Sequence, residues 1–457
     1  MGRCHVHHPP PCIRLKYSPF LLFIPSFESL HPRVVMIALV DCNSFFCSVE
    51  KVFHPGLEGK PVCVLSSNDG CIVALTPEAK ALGLRRGDPF FKKKELIRRH
   101  QVRVFSSNLT LYAAMSKRVN HILQESVPRT DVYSIDESFL YLDGLEVHYD
   151  LEDYMRDVVR KVKLYTDIPV SVGIAPTKTL AKVGSKFAKL YKGYRSVCMI
   201  DTELKRRKAL SLLSLSDVWG IGAQTLLKLT SQGIHSPLEF ADRPEQWVRS
   251  QLPRSGWQTW QELNGIPCID TSEVVQRKSI CTSRSFGQEV SDFEDLRSSV
   301  STFAASVANK LRGQSSLTSA VTVFIATNRF SEVIPPYANS QTILLPVPTA
   351  DTIELTQAAT KALSTIYRPG LAYKKAGVIL SKISDASPMQ YDLFDEIPNR
   401  PARIELMKRM DELNKRFGFN KIHLASTGEG KQAWHIKSEF RSGNYLTDIN
   451  ELLTVQV

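Results

Sequence analysis

The sequence predicts an α+β protein of several domains, and three observations carry that reading. The chain has 457 residues, and at about 150 residues per domain this implies roughly three domains. Short apolar runs alternate with stretches of helical spacing from Met36 to near residue 200, and again from 277 to 384. Between them, residues 201–265 hold short helical stretches and Gly pairs with no strand signal. Hydrophobic residues are 43% and charged residues 23%, a globular balance that excludes a disordered chain. No run of about 18 apolar residues exists, so a membrane-spanning helix is excluded.

Residues 1–35 stand apart, with Pro9, Pro10, Pro11, Pro19, Pro25 and Pro32 and the histidines His5, His7 and His8. The apolar stretch Phe20–Ile24 is too short for a signal peptide and no small-residue cleavage site follows. The expectation is a start assigned too far upstream, with the genuine start at Met36.

Ile37-Ala38-Leu39-Val40 is an apolar run ending in Asp41 and predicts a buried strand. Phe46, Val49 and Phe53 give residues 43–54 a helical spacing. Val62–Leu65 and Cys71–Ala74 predict a hairpin turned by Ser67-Asn68-Asp69-Gly70. A helix over 77–82 stops at Gly83. The segment Arg85 to Arg103 follows, with eight Lys or Arg against Asp88 and Glu95. Residues 109–125 read as a helix. Asp131–Ile135 and Ser138–Leu142 read as strands meeting at Asp136-Glu137. A helix over 151–165, a strand Val170–Ala175 and a helix over 177–191, with Pro176 at its start, complete the first half. Past residue 265 come strand 277–286, helix 293–312, strand 317–326, strand 341–346, helix 351–366 and strand 374–383. That βαββαβ order is ferredoxin-like. Beyond 384 the pattern weakens to one helix at 402–416.

The nine cysteines form no CxxC pair and no zinc spacing with histidine. Free thiols in a reducing, cytoplasmic setting are the simple reading.

Asp41 ends a buried strand, and Asp136 and Glu137 stand at the tip of a hairpin. Apolar strands on both sides would bury these three acids, and clustered buried carboxylates are costly without cations. All-oxygen ligands suit Mg²⁺. Acids after strands and at turns are commonplace, so spacing alone leaves a purely structural role open.

The residues around the acids add more. Asp41-Cys42-Asn43-Ser44-Phe45-Phe46-Cys47-Ser48-Val49-Glu50 resembles the opening motif of the Y-family translesion DNA polymerases. Tyr133-Ser134-Ile135-Asp136-Glu137-Ser138-Phe139 resembles their second catalytic motif, and Gly173-Ile174-Ala175-Pro176-Thr177-Lys178-Thr179-Leu180-Ala181-Lys182 their third block. Within that family the chain looks most like the UmuC-like catalytic subunits of bacterial DNA polymerase V, including plasmid-borne relatives. The resemblance spans about 36–440.

The resemblance implies a right-hand polymerase. Its palm is 36–45 and 107–197, its fingers 46–106, its helical thumb 198–268 and its βαββαβ little finger 269–384, with a tail from 385 to 457. It implies two Mg²⁺ ions held by Asp41, Asp136, Glu137 and the Cys42 carbonyl. Phe45 and Phe46 then face the dNTP, with Phe46 as the steric gate that crowds a ribose 2′-hydroxyl. Lys189 matches the lysine that reaches the triphosphate. The family often has a Tyr and an Arg in the fingers. Here Pro77 and Lys80 stand in their places. Pro77 has no N–H to donate, and Lys80 offers a point charge rather than a fork.

Lys178, Lys182, Lys186 and Lys189 share one helix face by their spacing, opposite Leu180, Val183, Phe187 and Leu190, and the expectation is phosphate contact. Gly220 and Gly222, in Val218-Trp219-Gly220-Ile221-Gly222, resemble a helix–hairpin–helix whose backbone N–H groups approach DNA phosphate. Arg277, Lys278 and Arg284 are expected on the first strand of the little finger as backbone contacts. Gln390-Tyr391-Asp392-Leu393-Phe394 resembles a sliding-clamp peptide, with Gln390, Leu393 and Phe394 as anchors. The partners implied are primer-template DNA, including damaged DNA, the clamp, a processed UmuD-like dimer and RecA.

Translesion synthesis in the SOS response is the reading that results. A scaffold acting through the clamp and a nucleotide cyclase on a similar palm are the rivals. The first would be expected to lose a carboxylate or Lys189, and the second has no need of the Gly pair or the clamp peptide. The net charge of +12 is consistent with a polyanionic partner. Residues 1–35 carry four basic residues and one acidic, and the tail from 385 ten and eleven, which leaves +10 on residues 36–384.

Overall fold

The computed structural model describes residues 35–271, 276–330, 336–386, 397–418, 421–428 and 432–452. Residues 1–34 and the expected clamp anchors Gln390, Leu393 and Phe394 lie outside them.

In chain order, β1 (Ile37–Cys42) and α1 (Phe45–Phe53) come first. Next are β2 (Val62–Leu65), β3 (Ile72–Leu75), α2 (Pro77–Ala81), α3 (Phe90–Arg99) and β4 (Arg103–Ser106). Then come α4 (Leu109–Ser126), β5 (Arg129–Val132), β6 (Glu137–Tyr141), α5 (Leu151–Thr166), β7 (Val170–Ala175), α6 (Lys178–Leu190) and β8 (Val197–Met199). A strand-free stretch follows: α7 (Glu203–Leu212), α8 (Ala223–Ser231), α9 (Pro237–Ala241), α10 (Glu245–Gln251) and α11 (Arg254–Leu263). The remainder is β9 (Ile280–Val290), α12 (Phe293–Gly313), β10 (Ser316–Thr327), β11 (Ala338–Thr349), α13 (Thr352–Ile366), β12 (Tyr373–Asp385) and α14 (Arg400–Phe417).

The first sheet has the order β5-β6-β1-β7-β8. β1 runs antiparallel to both β6 and β7. Its side chains alternate between two cores, as a pleated strand requires. Ala38, Val40 and Cys42 pack with Leu111 and Met115 of α4 and Val158 and Val162 of α5. Ile37 and Leu39 pack with Phe139 and with Leu180, Val183 and Phe187 of α6. The same alternation turns Asp41 toward α6. Leu39 is 1% exposed, and its truncation to alanine costs about 2–5 kcal/mol. α6 lies directly on β7 because Gly173 has no side chain: a Cβ there would stand 2.0 Å from the Ala181 carbonyl oxygen. Leu190, expected on the apolar face of α6, is exposed instead.

The second sheet, β3-β2-β4, pairs β2 antiparallel to β3 and parallel to β4. Leu65, Ile72, Leu84, Phe90 and Ile97 fill its core. The helices α7–α11 share their core with the α6 side of the first sheet. Glu262 of α11 is fully buried and ties these parts together. Its carboxylate accepts from Thr179 N at 2.8 Å, Cys268 N at 3.0 Å and Ile269 N at 3.2 Å.

The third sheet, β11-β10-β12-β9, packs α12 and α13 against one core that includes Phe286, Phe303, Val321, Leu355 and Tyr373. α14 is fastened to this unit by Arg400–Glu354 at 2.9 Å, Arg403–Asp351 at 2.6 Å and Asp411–Arg312 at 2.6 Å.

The βαββαβ order and the strand-free middle are as the sequence predicts. Three elements go beyond it. α3 buries only Phe90 and Ile97 of its ten residues, so it shows little apolar stripe. β4 and β8 have four and three residues, too short for a periodicity to show.

Candidate active site

β1 ends at the mouth of a cleft of about 860 Å³. Cys42 N donates to the Asp136 carbonyl at 2.9 Å, which joins the strand end to the hairpin tip. Asp41 and Glu137 are register partners across the β1–β6 ladder. Ser134 shapes the tip. Its hydroxyl donates to Asp136 Oδ1 at 2.6 Å and accepts from Glu137 N at 3.1 Å. The three acids therefore share one end of the sheet, but they are part-exposed in the cleft rather than buried as expected, because the sheet ends there.

Ser44 adopts φ +47° at the start of α1 with no side-chain cap. A non-glycine residue in that region is strained by about 1–3 kcal/mol. The sharp turn it makes brings Phe45 and Phe46 to the cleft wall, with Lys80 and Lys189 also lining it. Phe46 stacks on Tyr112, with ring centroids 4.5 Å apart and planes at 19°. Pro77 is explained locally: it is the first residue of α2, capped by Thr76.

Lysines of α6 meet the acids of three strands. Lys189 Nζ lies 2.8 Å from Asp41, Lys182 Nζ 2.7 Å from Glu137 and Lys178 Nζ 3.7 Å from Asp131. Lys186 meets Asp217 of the helical unit at 2.5 Å. This corrects the expected phosphate-facing stripe at two positions. Lys178 is 2% exposed, donates to Thr271 Oγ1 at 2.7 Å, and burial holds its pKa below the usual lysine value. Lys182 sits among the rings of Tyr133 and Trp219, at 4.7 and 5.3 Å, and is committed to Glu137.

The donor set of carboxylates and one carbonyl suits a hard divalent cation. Among the described residues no three His, Cys, Asp or Glu side chains converge as a ready cation site. Asp41 and Glu137 are turned onto their lysines. Burial, reinforced by Asp41 and Asp136, pushes the Cys42 thiol well above its usual range, and the side chain packs in the core beside Ala38 and Val40, on the strand face opposite Asp41.

Gly220 takes φ +91°, and a Cβ there would stand 2.2 Å from Thr259 Oγ1, whereas Gly222 faces open space. Both glycines are exposed, and Gly220 is the one that a side chain could not replace. Arg277, Lys278 and Arg284 are exposed, although the first two precede β9 rather than lie on it. Sequence reasoning missed Arg85 and Arg86, which line the cleft, and Tyr112 beneath Phe46. The basic run from Arg85 was a signal for the first pair. Tyr112 gave none, since it reads as one more core position of α4.

The solved "Y-family DNA polymerase chimera Dbh-Dpo4(243-245)-Dbh" superposes with a TM-score of 0.59 at 20% identity, over 77% of this chain and 99% of that one. The fold is therefore that of the Y-family DNA polymerases. Family models match residues 40–186 (impB/mucB/samB family), 277–393 (its C-terminal domain) and 405–455 (a domain of unknown function, DUF4113). Protein UmuC of Salmonella typhimurium (strain LT2) is 40% identical, over 92% of this chain and 100% of the relative. Protein ImpB of Salmonella typhimurium is 39% identical over 90% and 97%. DNA polymerase IV 1 of Bacillus subtilis (strain 168) is 27% identical over 85% and 92%. The chain belongs to the impB/mucB/samB family, as a UmuC-like DNA polymerase of the Y family.

Proposed function

We propose that this polymerase performs error-prone synthesis past template lesions, by nucleotidyl transfer assisted by two divalent cations, within the SOS response to DNA damage. The observation that carries the reading is the direct pairing of Asp41 with Glu137 at the cleft mouth, beside Asp136. Asp41, Asp136, Glu137 and the Cys42 carbonyl would hold Mg²⁺. Bound there, it supplies acidity to an attacking 3′-hydroxyl and charge to a leaving pyrophosphate. Lys189, Lys80, Arg85 and Arg86 give the cleft its positive charge for a triphosphate. Phe46 crowds the sugar and favours dNTPs.

In this reading residues 36–45 and 107–197 are the palm, 46–106 the fingers, 198–268 the thumb and 269–384 the little finger. Gly220, Gly222, Arg277, Lys278 and Arg284 contact the DNA backbone. Gln390, Leu393 and Phe394 bind the sliding clamp, and a processed UmuD-like dimer and RecA are further partners. A cytoplasmic location follows from those partners. No helix among the described residues is long and apolar enough to cross a membrane.

Primer extension on undamaged and abasic templates, with Mg²⁺, clamp and UmuD-like partner present, tests this. Asp136→Ala abolishes extension on both templates, and extension that survives it removes the catalytic assignment. The ion pairs on Asp41 and Glu137 favour one second reading, a catalytically weak scaffold acting through the clamp. Its signature is wild-type protein that binds DNA and clamp yet shows no Mg²⁺-dependent extension.

A further inference from the structure

The segment matched only as a domain of unknown function makes an unbroken series of contacts across the other units. His435 accepts from Gly287 N of β9 at 3.1 Å. Lys437 N donates to Asn68 Oδ1 at 2.9 Å, and Asn68 Nδ2 donates to the Ser285 carbonyl at 2.6 Å. Glu439 N donates to Asp69 Oδ2 at 2.9 Å, and Phe440 and Ser106 exchange two hydrogen bonds of 3.0 Å. The segment thus crosses from the third sheet to the second by backbone groups.

It ends under the cleft. Asn108, 1% exposed, donates through Nδ2 to the Ser442 carbonyl at 3.0 Å. Ser442 Oγ donates to Glu50 Oε1 at 2.9 Å, and Tyr112 OH donates to the same oxygen at 2.6 Å. Glu50 is fully buried, and its Oε2 has no hydrogen-bond partner among the described residues. Tyr112 is the ring on which Phe46 stacks. One buried carboxylate oxygen therefore couples the C-terminal segment to the ring beneath the cleft wall.

We propose that Ser442 and Glu50 are positioning residues for sugar selection. The C-terminal segment anchors Glu50, Glu50 fixes the Tyr112 hydroxyl, and Tyr112 sets the plane of Phe46. The proposal rests on the reading of Phe46 as the sugar-crowding ring. A stacked ring held at its far end by a short hydrogen bond has one orientation. Released, it tilts, and Phe46 follows. Because Glu50 is buried, losing either donor leaves its Oε1 with a single donor and no water to replace the other.

The test measures kcat/KM for dCTP and CTP opposite dG with the full chain. A second readout that needs no turnover is the equilibrium affinity for the same nucleotides on a dideoxy-terminated primer. Ser442→Ala and Tyr112→Phe each raise the ribo-to-deoxy ratio by about fivefold, the equivalent of one hydrogen bond. Ser442→Thr, which keeps the hydroxyl, restores the ratio. Combined with Phe46→Ala, Ser442→Ala adds nothing further, since both act on one ring. Thermal unfolding accompanies each variant, and a merely structural contact lowers the melting temperature and both efficiencies together while leaving the ratio unmoved. If Phe46→Ala raises the ratio and neither Ser442→Ala nor Tyr112→Phe does, the positioning role is overturned and the gate stands. If Phe46→Ala itself leaves the ratio unchanged, the gate reading fails and takes this inference with it.

Discussion

Asp41 faces Glu137 directly across the β1–β6 ladder, and each carboxylate is met by a lysine of the same helix, Lys189 at 2.8 Å and Lys182 at 2.7 Å. Two acids on neighbouring strands repel one another, and the α6 lysines offset that cost. The two pairs differ in exposure. Lys182 and Glu137 side chains are 16% and 21% exposed, Lys189 and Asp41 36% and 26%. Lys182→Met is therefore expected to destabilise the fold by about 1–3 kcal/mol, because it strands a half-buried charge. Lys189→Ala costs under about 1 kcal/mol in stability and instead raises KM for dNTP. Urea unfolding of both variants decides it, and equal losses contradict the ranking.

Two glycines are expected to respond differently to an added methyl group. Gly173→Ala drives a Cβ to 2.0 Å from the Ala181 carbonyl and 2.1 Å from Ser185 N, so α6 must lift off β7. The expected loss is about 3 kcal/mol or more, in line with overpacking against backbone. Gly222→Ala meets nothing and keeps the wild-type melting temperature. It does weaken duplex binding, because a methyl group then stands where a phosphate would approach the N–H groups that begin α8. A Gly222→Ala protein with unchanged DNA affinity would remove that contact.

Glu50 makes stability pH-dependent. Burial raises its carboxyl above the ordinary 4.5, with the hydroxyls of Tyr112 and Ser442 and the nearby His54 pulling it back. A raised folded-state value means that the folded form holds the proton more tightly than the unfolded one. The stabilisation is complete below 4.5 and is lost as pH climbs through the folded value. Glu50→Gln cannot titrate. Relative to that variant, the wild type should lose stability with rising pH, at up to about 1.4 kcal/mol per pH unit within the window. Parallel pH profiles for the two proteins would contradict the assignment.

The sequence carried most of this fold because its strands announce themselves. Ile37–Val40 is apolar throughout, Val170–Ala175 is apolar but for Ser171, and both are buried on both faces, so both the run length and its ends are legible. The acidic corner was legible through its neighbours, since Asp41 lies at the end of one strand and Glu137 begins another. The α6 lysines were not. Spacing placed them on one face, but it could not reveal that acids of β1, β5 and β6 face them, since that depends on sheet order. Tyr112 and Ser442 were hidden for a related reason: their meeting at Glu50 joins positions 62 and 392 residues away in sequence.

The buried lysine yields a sharp prediction about DNA affinity. Each phosphate neutralised on duplex DNA contributes about 0.9 to the slope of log K against log salt. Arg277, Lys278 and Arg284 are exposed, and replacing each by alanine should lower that slope by up to about 0.9 per contact. Lys178→Met should leave the slope unchanged, because its ammonium is enclosed by Asp131, Thr271 and the rings of Phe139 and Tyr141. Its effect falls on stability, and in a limited way. Burial already disfavours the charged lysine, and Asp131 keeps Arg129 at 3.8 Å and the Tyr141 hydroxyl at 2.7 Å. Salt titrations of duplex binding by fluorescence anisotropy separate the two groups. A lowered slope for Lys178→Met would mean that this lysine leaves its pocket to reach DNA, and α6 would then have to turn on the sheet that Gly173 lets it touch.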